Sequence, residues 1–211
     1  MALDRDKMLA AIGAGAIIPI HKGPIANMVA GYICSLWRAS GNPLWLQGAI
    51  PAAAAVCDDN LAGGIILPSF GANTARIYRF APVLTTAGTA ILYDRLAHMG
   101  GLSGVTTGNQ DVNVTVATPV TNGRATYDVV EWYAEMYTDI GTTAQTCTVT
   151  YTDKNDVGSK TLTFSLGGAS PLNRAGRCIQ LVPTDGVSIK SIQTVSIGTT
   201  TGTAGSWGIT A

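Results

Sequence analysis

The chain has 211 residues with 13 basic and 13 acidic side chains, and only 12% of its residues are charged while 46% are apolar. This composition argues against intrinsic disorder, which requires high charge and few apolar groups. It also argues against direct nucleic-acid binding, because phosphate contacts need a basic patch that the sequence lacks. Low charge together with a high apolar content predicts that part of the surface is covered by other protein.

Residues 1–87 are predicted to form an extended, partly helical N-terminal arm and an irregular, interfacial region. One short helix is predicted over Leu3 to Ala14, where Asp4 and Asp6 would lie in the first turn and stabilise it. The apolar run from Met8 to Ile20 resembles the core of a signal peptide. It is too short to span a bilayer, so no membrane partner is predicted.

The second half of this region is unusually poor in charge. No charged residue occurs between Arg38 and Asp58, and none between Asp59 and Arg76. An apolar but irregular segment cannot bury itself, so it must lie on its own β domain or on a neighbouring molecule. We therefore predict a contact surface here, anchored by aromatic side chains on either side of a Gly-Asn-Pro turn. Its predicted residues are Trp37, Arg38, Pro43, Trp45, Ile65, Ile66 and Leu67.

Residues 88–211 are predicted to form an antiparallel β-sandwich of the jelly-roll or immunoglobulin-like type. Short runs of alternating apolar and polar residues are separated by Gly, Asn, Asp and Pro, which is typical of such folds. A βαβ pattern is absent, which disfavours a parallel α/β enzyme fold. The predicted strands are Thr89 to Leu96, Ala125 to Thr138, Thr146 to Thr152, Lys160 to Leu166, Arg177 to Val182, Val187 to Ile197 and Trp207 to Thr210.

The longest predicted strand, Ala125 to Thr138, has two distinct faces. Trp132 is expected in the core, whereas Glu131 and Glu135 share a charged face exposed to solvent or to a partner. The two carboxylates are four residues apart, or ~13 Å along a strand. That separation exceeds the one that glycosidases use, so the pair is interpreted as a strand face and not as a catalytic dyad.

His98 is the other residue that invites a catalytic interpretation, as the base in an acyl transfer with Ser103. Ser103 lacks the G-x-S-x-G setting of such nucleophiles. The stretch is therefore interpreted as a strand end and a glycine turn, with Asp94 and Arg95 in structural hydrogen bonds. No catalytic residue is predicted.

Metal and cofactor sites are not predicted either. Asp58-Asp59-Asn60 is interpreted as a loop or cap and not as a cation site. The cysteines have no CxxC spacing and the chain has only two histidines, which disfavours zinc. Cys147 and Cys178 lie in strand-like runs and are expected to be buried. The spacing leaves open whether any disulfide forms among Cys34, Cys57, Cys147 and Cys178.

Three stretches stand out together: Ser35 to Pro43, Leu92 to Gly104, and Ser191 to Thr210. In this order and rough spacing they resemble a group of poorly characterised structural proteins of tailed-bacteriophage virions, found among head-region genes. The resemblance implies a virion component without catalytic activity, assembled in the host cytoplasm. It implies as partners the major capsid protein or other virion proteins, with self-association.

Three functions compete with the leading one, a capsid-associated decoration (cement) or minor head protein. The first is a structural protein of the neck, tail or fibre attachment. The second is a carbohydrate-binding adhesin of the same β-sandwich class, using exposed aromatic residues among Tyr133, Tyr137 and Trp45. The third is a hydrolase that uses His98.

Overall fold

The computed structural model describes residues 6, 9, 18–25, 28, 30–43, 53–58, 64–65 and 79–211. The helix predicted over Leu3 to Ala14 lies outside the described residues, apart from Asp6 and Leu9. Three of the predicted contact residues, Trp45, Ile66 and Leu67, lie outside them as well. No helix in the described part of the chain is long and apolar enough to cross a membrane.

The described chain is mainly β. Its strands and helices are β1 (His21–Lys22), β2 (Ile33–Cys34), β3 (Gly41–Asn42), β4 (Ala55–Val56), β5 (Ala97–Leu102), β6 (Gly108–Thr115), α1 (Ala117–Thr121), a 3-10 helix (Tyr127–Val129), β7 (Tyr133–Met136), β8 (Gln145–Asp153), β9 (Lys160–Leu166), β10 (Arg177–Gln180), β11 (Ile189–Ile197) and β12 (Trp207–Thr210).

Two antiparallel sheets pack against each other. One has the strand order β2-β10-β7-β12-β5-β4 and the other β6-β11-β8-β9, while β1 and β3 form a separate pair. The pairing is nested: β5 lies beside β12, β6 beside β11, β7 beside β10, and β8 beside β9. Between β5 and β12, only the β8–β9 connection stays within one sheet. The prediction of a mainly β, antiparallel chain is confirmed.

The core lies between the two sheets and follows from the alternation of side chains along the strands. On β8, Cys147, Val149 and Tyr151 are buried while the threonines between them are partly exposed. Trp207 on β12 and Phe164 on β9 join the two sheets, with ring centroids 6.0 Å apart. The core position predicted for Cys147 is therefore confirmed.

Trp132 occupies the core, as predicted, and is 2% exposed. Its indole N–H donates a hydrogen bond to the carbonyl oxygen of Ile189 on the opposite sheet, at 3.1 Å. A buried indole needs such a partner, because an unpaired polar group inside a protein is costly. The contact ties the β7 end of one sheet to β11 in the other.

Strands β8 to β12 agree with the predicted runs to within two residues at each end. The strand predicted over Thr89 to Leu96 is wrong: this stretch has no regular structure, and β5 begins only at Ala97. Strand β5 contains Gly100 and Gly101, so the interpretation of these two residues as a turn is wrong. Gly208 on β12 allows the two strands to approach closely, since a Cβ on this residue would lie only 2.2 Å from the Met99 carbonyl oxygen.

The long strand predicted over Ala125 to Thr138 is also shorter than expected. Only Tyr133–Met136 is a strand, and a 3-10 helix replaces its beginning. The carboxylate of Asp128 accepts a hydrogen bond from Ser188 at 2.9 Å and one from Lys154, which ties this turn to the ends of β11 and β8. Strand β6 was not predicted, because its glycine and amide residues are typical of a loop.

Trp207 provides a test of the core. Trp207→Ala would open a large cavity between the sheets, so we expect the free energy of unfolding to fall by about 3–5 kcal/mol. Val182, which is 62% exposed, is the matched control, and Val182→Ala should change stability by less than about 0.5 kcal/mol. Urea denaturation followed by circular dichroism measures both. Similar losses for the two variants would contradict this description of the core.

Candidate functional site

A buried polar cluster lies on the outer face of the six-stranded sheet, opposite the core. Because side chains alternate along a strand, Glu135 on β7, Thr210 on β12 and His98 on β5 share this face. They are 2%, 5% and 0% exposed. The segment 35–43, called here the cover segment, follows β2, lies over them and places Trp37 in contact with Arg95 and His98. The outer-face cluster is defined here as Trp37, Arg95, His98, Glu135, Tyr137 and Thr210.

Arg95 is the centre of this cluster. Its Nη1 donates hydrogen bonds to Glu135 Oε2 and Thr210 Oγ1, both at 2.8 Å, and Nη2 donates one to the Tyr93 hydroxyl at 3.1 Å. The guanidinium lies 3.9 Å from the centre of the Trp37 ring, which is a close cation–π contact. The prediction that Arg95 makes structural hydrogen bonds is confirmed.

The charges of the cluster neutralise each other. Burial alone would raise the pKa of Glu135, but the nearby charge of Arg95 and hydrogen bonds from Arg95, Ser35 and Thr210 outweigh it and hold this pKa below its usual range. A carboxylate in this state is a hydrogen-bond acceptor for its neighbours and a poor proton acceptor. The arrangement joins the cover segment to the sheet.

The solvated face predicted for this strand is wrong for Glu135 and Tyr137, because the cover segment buries both. Glu131 is exposed, as predicted, and accepts a hydrogen bond from the Tyr133 hydroxyl. Tyr137, 6% exposed, does not present a ring to solvent, and Tyr133 is half-buried. Neither tyrosine therefore provides the open aromatic platform expected of a sugar-binding surface.

His98 is fully buried beneath the cover segment. Its ring meets Trp37 edge-on, with centroids 4.9 Å apart, and Nδ1 lies 3.5 Å from the Tyr137 hydroxyl. Nε2 has no hydrogen-bond partner within the described ranges. Burial, and then the charge of Arg95, lower the pKa of His98 to about 4, although Glu135 acts in the opposite direction.

Ser103, the residue considered as a nucleophile beside His98, is engaged elsewhere. Its backbone N–H donates to the side-chain oxygen of Gln110 at 2.8 Å, and its hydroxyl accepts a hydrogen bond from the Val105 N–H at 3.3 Å. The structure does not join it to His98 by a hydrogen bond.

The predicted contact residues fall in different places. Trp37, 7% exposed, is buried on its own chain, and the Arg38 guanidinium lies 5.1 Å from the centre of the Tyr137 ring. Pro43 is half-buried, and its carbonyl oxygen accepts a hydrogen bond from Lys22. Ile65 is also half-buried. The structure thus brings Trp37 and Arg38 to the outer-face cluster.

A cavity of about 360 Å³ opens beside the cluster, lined in part by Arg38, Tyr137 and Gly176. At its rim Arg174 forms an ion pair with Asp139. No group of three metal-ligating side chains occurs in the described part of the chain. Of the acidic triplet considered as a cation site, Asp59 and Asn60 lie outside that part.

All four cysteines are free. Cys178 is half-buried on β10, while Cys34 is exposed on the neighbouring strand β2. The burial predicted for Cys178 is therefore only partial.

The buried ion pair gives a second prediction. Arg95→Met would leave the Glu135 carboxylate buried without its counter-charge, so we expect a loss of roughly 3–5 kcal/mol in the free energy of unfolding. Arg174→Met, which removes a solvent-exposed pair with Asp139, is the matched control and should cost less than about 1 kcal/mol. Equal losses in denaturation experiments would contradict a central role for Arg95.

His98 gives a prediction for pH. Its folded-state pKa of about 4 lies below the ordinary value of 6.5, so between these values the unfolded chain binds the proton more readily. Stability from the neutral ring is present above pH 6.5 and decreases as the pH falls towards 4, by up to about 3 kcal/mol. His98→Gln should flatten this part of the stability profile. An unchanged profile in the His98 variant would contradict the assignment.

Comparison with known proteins gives no relative: no family model, no curated protein and no solved structure matches the chain. Its function must therefore be inferred from the fold and from the surfaces that the fold presents.

Proposed function

We propose that the chain is a structural subunit of a tailed-phage virion, and that it acts as a capsid-associated decoration or minor head protein which stabilises the shell through subunit contacts. The observation that carries the proposal is the nested strand order. Eight strands, β5 to β12, pair first with last and inwards to the β8–β9 hairpin. We assign this order to the jelly-roll type, which recurs in viral capsid proteins.

An exposed apolar segment supports the proposal. Residues 79–93 run without regular structure, and large apolar side chains on them remain open to solvent. Val83 is 96% exposed and Ile91 73%. Exposed apolar surface of this kind is typical of contact sites with other proteins. This segment follows the predicted contact residues in the chain and is here assigned as the main partner surface.

The hydrogen bonds within the outer-face cluster support the same function. Arg95, Glu135 and Thr210 are hydrogen-bonded to one another, and Trp37 covers them. A site that binds and releases a substrate needs polar groups directed at open space. Here the polar groups fasten the cover segment to the sandwich, which suits a subunit that must keep its shape in an assembly.

An adhesin is less well supported, although jelly rolls also include lectins. Of its three proposed aromatic residues, Tyr137 is buried and Tyr133 is half-buried and bonded to Glu131. The remaining one, Trp45, lies outside the described residues.

The proposal is tested by adding the purified chain to particles that lack it. We expect binding, with a copy number that follows the shell lattice. Val83→Asp combined with Ile91→Asp should weaken that binding at least roughly tenfold, because it places charges in an apolar contact. Val182→Asp, on an exposed valine outside the segment, is the control.

Two outcomes of this experiment would count against the proposal. Absence of binding to the particles would contradict a virion role. A small ring of copies at one vertex would indicate that the protein belongs to the neck or tail and not to the shell.

A further inference from the structure

Strand β9 forms one edge of the four-stranded sheet. Among the described residues it pairs on one side only, with β8, and all seven of its residues, Lys160–Leu166, are in register. Towards its other side, no backbone hydrogen bond from a described residue reaches its N–H and C=O groups. Such an edge is a template for another strand, and proteins protect edges that must not pair.

The other edges described for the two sheets are protected. Strands β2 and β4, at the ends of the six-stranded sheet, have two residues each. Strand β6 carries the exposed Asp111, and Asn113 has a positive φ of 51° close to the point where its register with β11 shifts. Short length, charge and bulges are the usual means of blocking an edge.

Strand β9 has none of these devices. It contains no proline, and its register with β8 shows no shift. Its single charge, Lys160, lies at one end and is neutralised by Asp153 at 2.5 Å and Asp185 at 2.7 Å. The six following residues are uncharged and alternate strictly, a pattern that associates readily when left uncovered.

Both faces of β9 complement a second copy of itself. Thr161, Thr163 and Ser165 are exposed and uncharged on the outer face. On the core face, Leu162 and Leu166 are buried, while Phe164 is only partly buried although it packs against Trp207. An added strand would cover the open side of Phe164.

We propose that β9 pairs antiparallel with β9 of a second copy of this chain, about a two-fold axis at Thr163. Since side chains alternate, the axis must pass through a residue for like faces to remain on the same side. Thr163 is the centre of the strand, so all seven residues pair. Thr163 then faces the second copy's Thr163, and Leu162 faces its Phe164. The two four-stranded sheets become one sheet of eight strands.

This inference rests on the proposed function, for which it provides one contact between subunits. A seven-residue strand pair buries less than the roughly 800 Å² per partner of a stable interface. The pairing is therefore expected to be weak and concentration-dependent in solution. It strengthens when a shell holds two copies side by side, because the effective concentration rises.

The test is a charge exchange at Thr163, followed by sedimentation equilibrium over a concentration series. Thr163→Lys and Thr163→Asp each place two like charges opposite one another at the axis. Each variant alone should dimerise roughly fivefold more weakly than the original chain. An equimolar mixture of the two should recover the association, because unlike charges then face each other. Asn109→Lys, exposed on β6 at the opposite edge of the same sheet, is the matched control.

Circular dichroism establishes that each variant is folded, which is expected because residue 163 is exposed. The inference is overturned if the original chain is monomeric at every concentration, if Thr163→Lys associates unchanged, or if the mixture does not associate. Particle binding is scored separately. A chain that binds particles without self-association overturns the pairing alone, and one that self-associates through Thr163 without binding particles overturns the virion role alone.

Discussion

The ion pair between Arg95 and Glu135 is the interaction on which the outer half of the molecule depends. It lies on the face of a sheet that would otherwise be open to water, and Trp37 shields it. Removing the cover segment would expose the pair to solvent, while removing either charge would leave the other buried and unpaired. The cover segment and the sandwich therefore stabilise each other, and residues 35–43 behave as part of the domain.

Charged side chains are few in the chain as a whole, at 12% of its residues. Apart from the Arg95–Glu135 pair, the described ion pairs lie near strand ends, in turns and in loops, as with Lys160 between Asp153 and Asp185, and leave the middle of β9 uncharged. Apolar side chains remain exposed on the segment 79–93. A protein with few charges has little electrostatic repulsion between its copies, so these surfaces favour association.

Much of the fold could be predicted from the sequence, because alternation of apolar and polar residues over seven to nine positions predicts β8 and β9 as strands. Strand β5 could not, since it pairs closely with Gly208 of β12, a residue distant in the chain. The outer-face cluster could not be predicted from the sequence for a similar reason. Glu135 and Thr210 are 75 residues apart, and no local pattern shows that a separate segment will cover them. For Arg95, the sequence predicts hydrogen bonds but not the buried ion pair with Glu135.

The nested strand order has a consequence for the synthesis of the protein. Strand β12 lies between β7 and β5 in the interior of its sheet, although it is translated after all the other described strands. Until β12 has left the ribosome, β7 and β5 each lack one of their two neighbouring strands, and Glu135 lacks the hydroxyl of Thr210. Sheet closure must therefore follow translation of residue 210, and contacts of such long range form slowly. A nascent chain stalled before β12 would expose core residues to chaperones.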